Sequence, residues 1–215
     1  MRVCDCIRCE NFPCKDVNKD AYRFPDADID FDKIKIFMIS EAPPGEKNDY
    51  FYVPGNPFYL QTTMQAFNDA GIAISSMKEI LDLGVYITTA IKCGKTQYSI
   101  STETVKNCSD LLEKEINLFL NIKVFLLMGD VAIKSLNNIA KRQTGKKDIP
   151  GGSTYKTRHQ EFYFKGKRIF PSYLQTGKNY LIEKSKRRMI AEDIKQAIDR
   201  NSSNIFFSLK YLLYK

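Results

Sequence analysis

Residues 34–58 read IKIFMISEAPPGEKNDYFYVPGNPF, an apolar run that stops abruptly in a loop of prolines and glycines carrying a carboxylate. Ile34, Ile36, Phe37, Met38 and Ile39 form the short, nearly continuous hydrophobic stretch expected of a central parallel strand, whose two faces are both covered by helices. Ser40, Glu41, Ala42, Pro43, Pro44 and Gly45 follow at once. In open α/β sheets ligands bind outside the carboxyl ends of such strands, so this loop is the first place to seek a site. Its prolines stiffen it.

Outward from this stretch, strand and helix patterns alternate. Residues 61–70 read as a helix ended by Gly71, and 85–91 as a β-branched buried strand. Residues 101–120 have the period of a long amphipathic helix, and 123–128 (KVFLLM) give a third strand leading through Gly129 and Asp130 into a helix to about 140. A polar loop over 141–155 precedes a small hairpin at 161–168, which turns at Lys165 and Gly166 and feeds a fourth strand at 168–173. A basic amphipathic helix follows over 181–200, and the tail NIFFSLKYLLYK suggests a further short helix packed on the body. This order predicts an α/β protein with a mostly parallel four-stranded sheet covered on both faces, a three-layer α/β/α sandwich. Residues 1–200 form one domain with an N-terminal cysteine segment, and 201–215 a C-terminal helical extension.

With 43% hydrophobic residues the chain can build a sizeable core. No run approaches a membrane span, and the charged, cysteine-bearing N-terminus lacks the apolar core of a signal peptide, which points to a cytoplasmic monomer with no membrane partner. Charge is unevenly spread: residues 1–140 hold 15 Lys/Arg against 19 Asp/Glu, whereas 141–215 hold 18 against 6. The C-terminal third is therefore a cationic surface suited to phosphates, with Lys178, Lys186, Arg187 and Arg188 around one helix start. Tyr155, Phe162, Tyr163, Phe164, Tyr173 and Tyr180 interleave with these charges as rings that can stack on bases.

Six cysteines in a chain without a secretory signal read as metal ligands rather than disulfides. Four fall within the first fourteen residues, Cys4, Cys6, Cys9 and Cys14, with Cys6 and Cys9 in C-x2-C spacing, and Cys93 and Cys108 come much later. A site of Cys6, Cys9, Cys93 and Cys108 would pin the N-terminus to the body, holding either an iron–sulfur cluster or a structural zinc, and Cys4 or Cys14 could replace one of the first pair.

Taken together, C-x2-C, SEAPPG, GNPF, YITTAIKC, the cysteine at 108, FLLMGDVAIKSL and FPSYL resemble, in order, the motifs of the iron–sulfur (family 4) uracil-DNA glycosylases: C-x2-C, GEAPG, G-x-PFVG, YITNVVKC, a cysteine, V-x-LG-x-x-A and PTYHPA. The resemblance runs from Cys6 to about Ala197. It implies a [4Fe-4S] cluster on four cysteines, a DNA substrate, and hydrolysis of the N-glycosidic bond of a flipped-out uracil or other damaged base. Glu41 matches the carboxylate beside the sugar and the attacking water, Ala42 its neighbour, and Phe58 the ring that stacks on the extruded base. A carboxylate stabilises the oxocarbenium character that builds on the sugar, and a ring replaces the stacking lost on flipping.

Two motif positions depart from the family: Thr89 stands where it has Asn, and Leu174, beside Tyr173, where it has His. Thr89 cannot present an amide donor and acceptor together, and Leu174 cannot hydrogen-bond the leaving base. Asp49, Ser172, Tyr173 or His159 would then supply the missing group, with Asp49 the candidate second catalytic residue. The sequence leaves three functions open: a DNA glycosylase with altered base preference, a catalytically weak module that recognises a lesion, and a zinc protein binding RNA or an acidic partner.

Overall fold

The computed structural model describes the backbone of residues 1–212 and the side chains through Asn201. In chain order its elements are α1 (Val3–Cys6), β1 (Val17–Asn18), β2 (Ile36–Ser40), α2 (Phe58–Asp69), α3 (Met77–Asp82), β3 (Val85–Thr89), β4 (Gly94–Lys95), α4 (Thr102–Asn117), β5 (Val124–Met128), α5 (Asp130–Thr144), α6 (Thr154–Thr157), β6 (Phe162–Phe164), β7 (Lys167–Ser172), α7 (Lys178–Ile182) and α8 (Lys184–Leu212). The main sheet has the strand order β3-β2-β5-β7-β6. Four strands run parallel, as the strand–helix alternation predicts. The sheet nevertheless has five strands rather than four, because the first arm of the hairpin pairs back antiparallel along β7, with Phe162 opposite Ile169.

Every residue of β2, β3 and β5 is buried, which is why β2 and β5 read as nearly continuous apolar runs and β3 as a β-branched one. Alternation divides them between two cores. Phe37 and Ile39 pack with Leu112 of α4 and Leu136 of α5, whereas Ile36 and Met38 pack with Phe67 of α2 and Ile194 of α8. Helices thus cover both faces, and the α/β/α sandwich expected from the sequence is the architecture observed.

Element boundaries moved where a side chain took up a helix-end backbone group. α2 starts at Phe58 rather than 61, and Asp49 Oδ1 accepts from the Tyr59 N–H in its first turn at 2.7 Å. At the other end α8 runs unbroken to Leu212, so residues 204–212 continue a helix instead of starting one. How that tail packs lies outside the described residues. Among the described residues no helix is long and apolar enough to cross a membrane.

A two-stranded ladder that the sequence did not reveal joins Val17–Asn18 to Gly94–Lys95. Gly94 is required there by crowding, since a Cβ would sit 2.7 Å from the Ala21 Cβ and 3.0 Å from the Pro44 carbonyl. Just before it, Lys92 and Glu115 form an ion pair at 2.5 Å with neither side chain exposed. Tyr86 and Thr88 donate hydroxyls to the same carboxylate, and the Lys92 ammonium also donates to Thr88 Oγ1 and the Thr89 carbonyl. Burial lowers the Lys92 pKa, and the partnered carboxylate opposes that shift.

Removing one partner of a buried pair leaves an uncompensated charge, whereas replacing both is often nearly neutral. Lys92→Met should therefore cost about 3–5 kcal/mol in urea unfolding, and Lys92→Met with Glu115→Leu should regain most of it. A single variant as stable as wild type would show that the pair does not hold β3 to α4.

Candidate functional site

A cleft of about 460 Å³ opens at the carboxyl edge of the sheet. Its walls come from consecutive strand ends: Glu41 after β2, Gly129 after β5, and Tyr173 and Leu174 after β7, with Lys95 of β4 and Tyr180 and Lys186 of α7 and α8 closing the sides. This is the edge at which the sequence placed the site. The backbone around Glu41 is fixed, because Ala90 N donates to the Ser40 carbonyl at 2.8 Å and Ile91 N to the Glu41 carbonyl at 2.9 Å, carrying the β2–β3 ladder past the strands.

The Glu41 side chain is 15% exposed and lies 3.5 Å from the Lys95 ammonium. Lys95 is held opposite by its own N–H, which donates to the Pro43 carbonyl at 2.8 Å. On the other side, Gly129 makes room: a Cβ there would fall 2.8 Å from Glu41 Oε1, and its φ of +97° suits glycine alone. Gly129 is also the N-cap of α5, so the carboxylate faces a helix N-terminus, where negative charge is favoured.

The structure brings only some of the sequence candidates into this cleft. Glu41, Tyr173, Leu174, Lys178 and Lys186 line it. Ala42 is buried beneath, and its carbonyl accepts from the Tyr59 hydroxyl at 2.5 Å. Phe58 is half-buried at the start of α2 and is not among the lining residues. Its neighbour Tyr59, which sequence reading passed over, lies close to Glu41 and Asp49, and burial pushes its hydroxyl pKa well up. Thr89 is wholly buried at the end of β3.

Of the four groups considered as substitutes for the missing histidine, three are otherwise engaged. Asp49 caps α2, Ser172 donates to Asp193 at 2.6 Å, and His159 is exposed beside Arg158. Tyr173 remains on the wall, with Lys186 over its ring at 5.6 Å.

The four basic candidates also divide. Arg187 is bound to Asp69 of α2 through two nitrogens and lies 5.6 Å from the Tyr180 ring centre. That contact draws the Asp69 carboxyl down to about 2 and makes Arg187 a tether between α8 and α2. Arg188 is exposed and pairs with Glu192 at 3.6 Å. Lys178 and Lys186 stand at the cleft with Lys95, next to the almost fully exposed ring of Tyr98.

On the far side of Lys92 a second, small pocket is lined by Cys9, Cys14, Cys93 and Cys108 together with Phe12, Val17, Tyr22 and Leu111. Three of these are the expected thiols, but Cys14 stands where Cys6 was expected. Cys6 ends α1, is exposed, and points its thiol at the Arg2 carbonyl and the Met1 sulfur. Cys14 and Cys108 share a hydrogen bond that draws Cys14 down to about 6 and pushes Cys108 up, while burial raises Cys93 to about 12. Among the described residues no three His, Cys, Asp or Glu groups are gathered tightly enough for a single metal ion. The four thiols line one small apolar chamber.

A family model described as the uracil DNA glycosylase superfamily matches residues 28–195, and the chain belongs to that superfamily. The match takes in the whole Glu41 cleft and starts beyond Cys14, so it leaves the iron–sulfur subgroup unassigned. A search of curated proteins finds no match. Members of this superfamily are typically DNA glycosylases, and the match does not fix a base.

These placements separate cations at the cleft from a tether between helices. Replacing Lys178 and Lys186 together by Ala should flatten the salt dependence of DNA binding by about two phosphate equivalents, roughly 0.9 log units of slope each. Arg187→Ala should instead lower the melting temperature and leave the slope near wild type.

Proposed function

We propose that the protein is a DNA glycosylase that hydrolyses the N-glycosidic bond of a nucleotide flipped into the Glu41 cleft. The observation that carries this reading is the Glu41 carboxylate itself, held at the strand edge by the β2–β3 ladder, given space by Gly129, and only 15% exposed. As the bond to the base lengthens, positive charge builds on the sugar, and a fixed carboxylate in a poorly hydrated cleft stabilises it and orients a water. Lys95, Lys178 and Lys186 at the rim suit the phosphates on either side of an extruded nucleotide, and Tyr98 and Tyr173 offer rings for stacking.

The wall contributed by Leu174 is apolar and gives the departing base no hydrogen bond. Base preference therefore differs from that of a uracil enzyme with histidine at this position, and Tyr173 is the hydroxyl best placed to help. The same residue favours a second reading, a module that recognises a damaged base without excising it. Glu41→Gln keeps shape and removes the charge, so single-turnover release of whichever base the wild type accepts should fall at least about a hundred-fold with DNA affinity retained. Equal rates for the two proteins, or no release from uracil, hypoxanthine, xanthine or modified-pyrimidine oligonucleotides, would favour the recognition module.

The same proposal assigns a [4Fe-4S] cluster to Cys9, Cys14, Cys93 and Cys108, a set of four thiols lining one pocket, which is the donor set such a cluster takes. Bound there, it would act structurally, joining the N-terminal segment to the β3–α4 connection. Protein purified without air should be brown with about four irons per chain. Cys14→Ser should lose colour and iron, and Cys6→Ser should keep both; a colourless protein with one zinc contradicts the assignment.

A further inference from the structure

Eight buried side-chain polar atoms lack a hydrogen-bond partner among the described residues, and six of them belong to one region. They are Ser40 Oγ and Thr89 Oγ1 at the ends of β2 and β3, Tyr50 OH in the loop after Glu41, and Thr176 Oγ1 with both amide atoms of Gln175 just past β7. Ser40 and Thr89 are paired across the ladder. Tyr50 lies within hydrogen-bonding reach of Thr88 and Thr89, and Tyr59 of Thr176, so those hydroxyls have neighbours to turn to, whereas the Gln175 amide has none. Folded proteins leave few such groups unpaired, and each one asks for a cause. The Gln175 amide, idle at both atoms beside the cleft, points to a ligand.

Gln175 is the most demanding of them. It is 0% exposed with Nε2 and Oε1 both idle, while the residues on either side of it, Leu174 and Thr176, line the cleft. A hydroxyl can rotate its proton toward a weak acceptor, whereas a primary amide needs an acceptor and a donor side by side. The edge of a nucleobase with a ring N–H next to an exocyclic oxygen has that pattern, and flipped bases are read through hydrogen bonds to that edge.

We propose that Gln175 is the specificity-determining residue of the cleft and that its amide reads the N–H/C=O edge of the extruded base. The ligand, a base flipped from DNA, rests on the glycosylase reading above. Because the amide is fully covered, the base reaches it only when the loop of residues 174–177 shifts, so its hydrogen bonds go to a base in place and not to bulk water. The residue thereby supplies, from the other side of the sheet edge, the amide that Thr89 cannot.

The test is binding to duplexes that carry an uncleavable 2′-fluoro analogue of deoxyuridine or deoxyinosine, the same analogue methylated on its ring nitrogen, or a tetrahydrofuran abasic site. Wild type should favour at least one unmethylated base over both controls by at least about tenfold. Gln175→Met should lose that preference, bind the abasic duplex as wild type does, and melt at the same temperature or higher, since an unpaired buried amide has been removed. Equal wild-type affinity for methylated and unmethylated bases overturns the proposal, as does a Gln175→Met protein that keeps the preference. Loss of affinity for every duplex, or a lower melting temperature, makes Gln175 a structural residue and overturns it as well. Excision enters none of these readouts: preference without base release would defeat the glycosylase reading and leave the assignment of Gln175 standing.

Discussion

The buried contact between Lys92 and Glu115 is the constraint on which the two ends of the functional region depend. It fixes the end of β3 against α4 in an environment where neither charge meets water. The residues on either side inherit their positions from it. Cys93 follows directly and Cys108 lies two turns before Glu115 on the same helix, so the pair sets the distance between two walls of the thiol chamber. Two residues beyond Cys93, Lys95 hydrogen-bonds to the loop of Glu41 and forms the cleft's inner cation. Phe24 of the N-terminal segment covers the ammonium at 4.8 Å, which brings the first thirty residues into the same assembly. One ion pair thus connects a chamber of thiols to a cleft of charged groups.

Around the cleft, charge is arranged by how firmly each group is held. Glu41 is fixed by backbone bonds and by the space left at Gly129, as a group that meets developing positive charge has to be. The cations beside it are long side chains at the rim, able to follow a phosphate backbone. Arg187 and Arg158, which look similar in sequence, are consumed inside the fold by Asp69 and Asp193. The cationic C-terminal third is therefore both a surface and a set of internal struts, and composition cannot divide the two.

Much of the architecture was legible because strands buried on both faces are mostly apolar or β-branched, and β2, β3 and β5 are. The fifth strand was missed as a strand of the sheet because a hairpin whose first arm has three residues looks the same whether it stands alone or extends an edge. In the site, Glu41 and Leu174 were legible from the strand ends that carry them. Cys14 was not preferred, because C-x2-C spacing favours Cys6, while the chain turns at Phe12, φ +41°, and carries Cys14 inward. Phe58 and Tyr59 are consecutive on a helix, and only the register set by Asp49 shows which of them approaches Glu41. Gln175 gave no signal, since a glutamine in a polar loop reads as a solvated residue until its burial is seen.

The central claim is that a nucleotide leaves the duplex and comes to rest against Glu41. A crystal structure of the Glu41→Gln protein bound to a duplex with a single uncleavable 2′-fluoro-deoxyuridine tests it most directly. The account predicts the nucleotide extruded into the cleft between Gly129 and Leu174, its C1′ facing residue 41 and its flanking phosphates near Lys95, Lys178 and Lys186. A duplex left fully stacked, or seated on another face with the cleft empty, would contradict it.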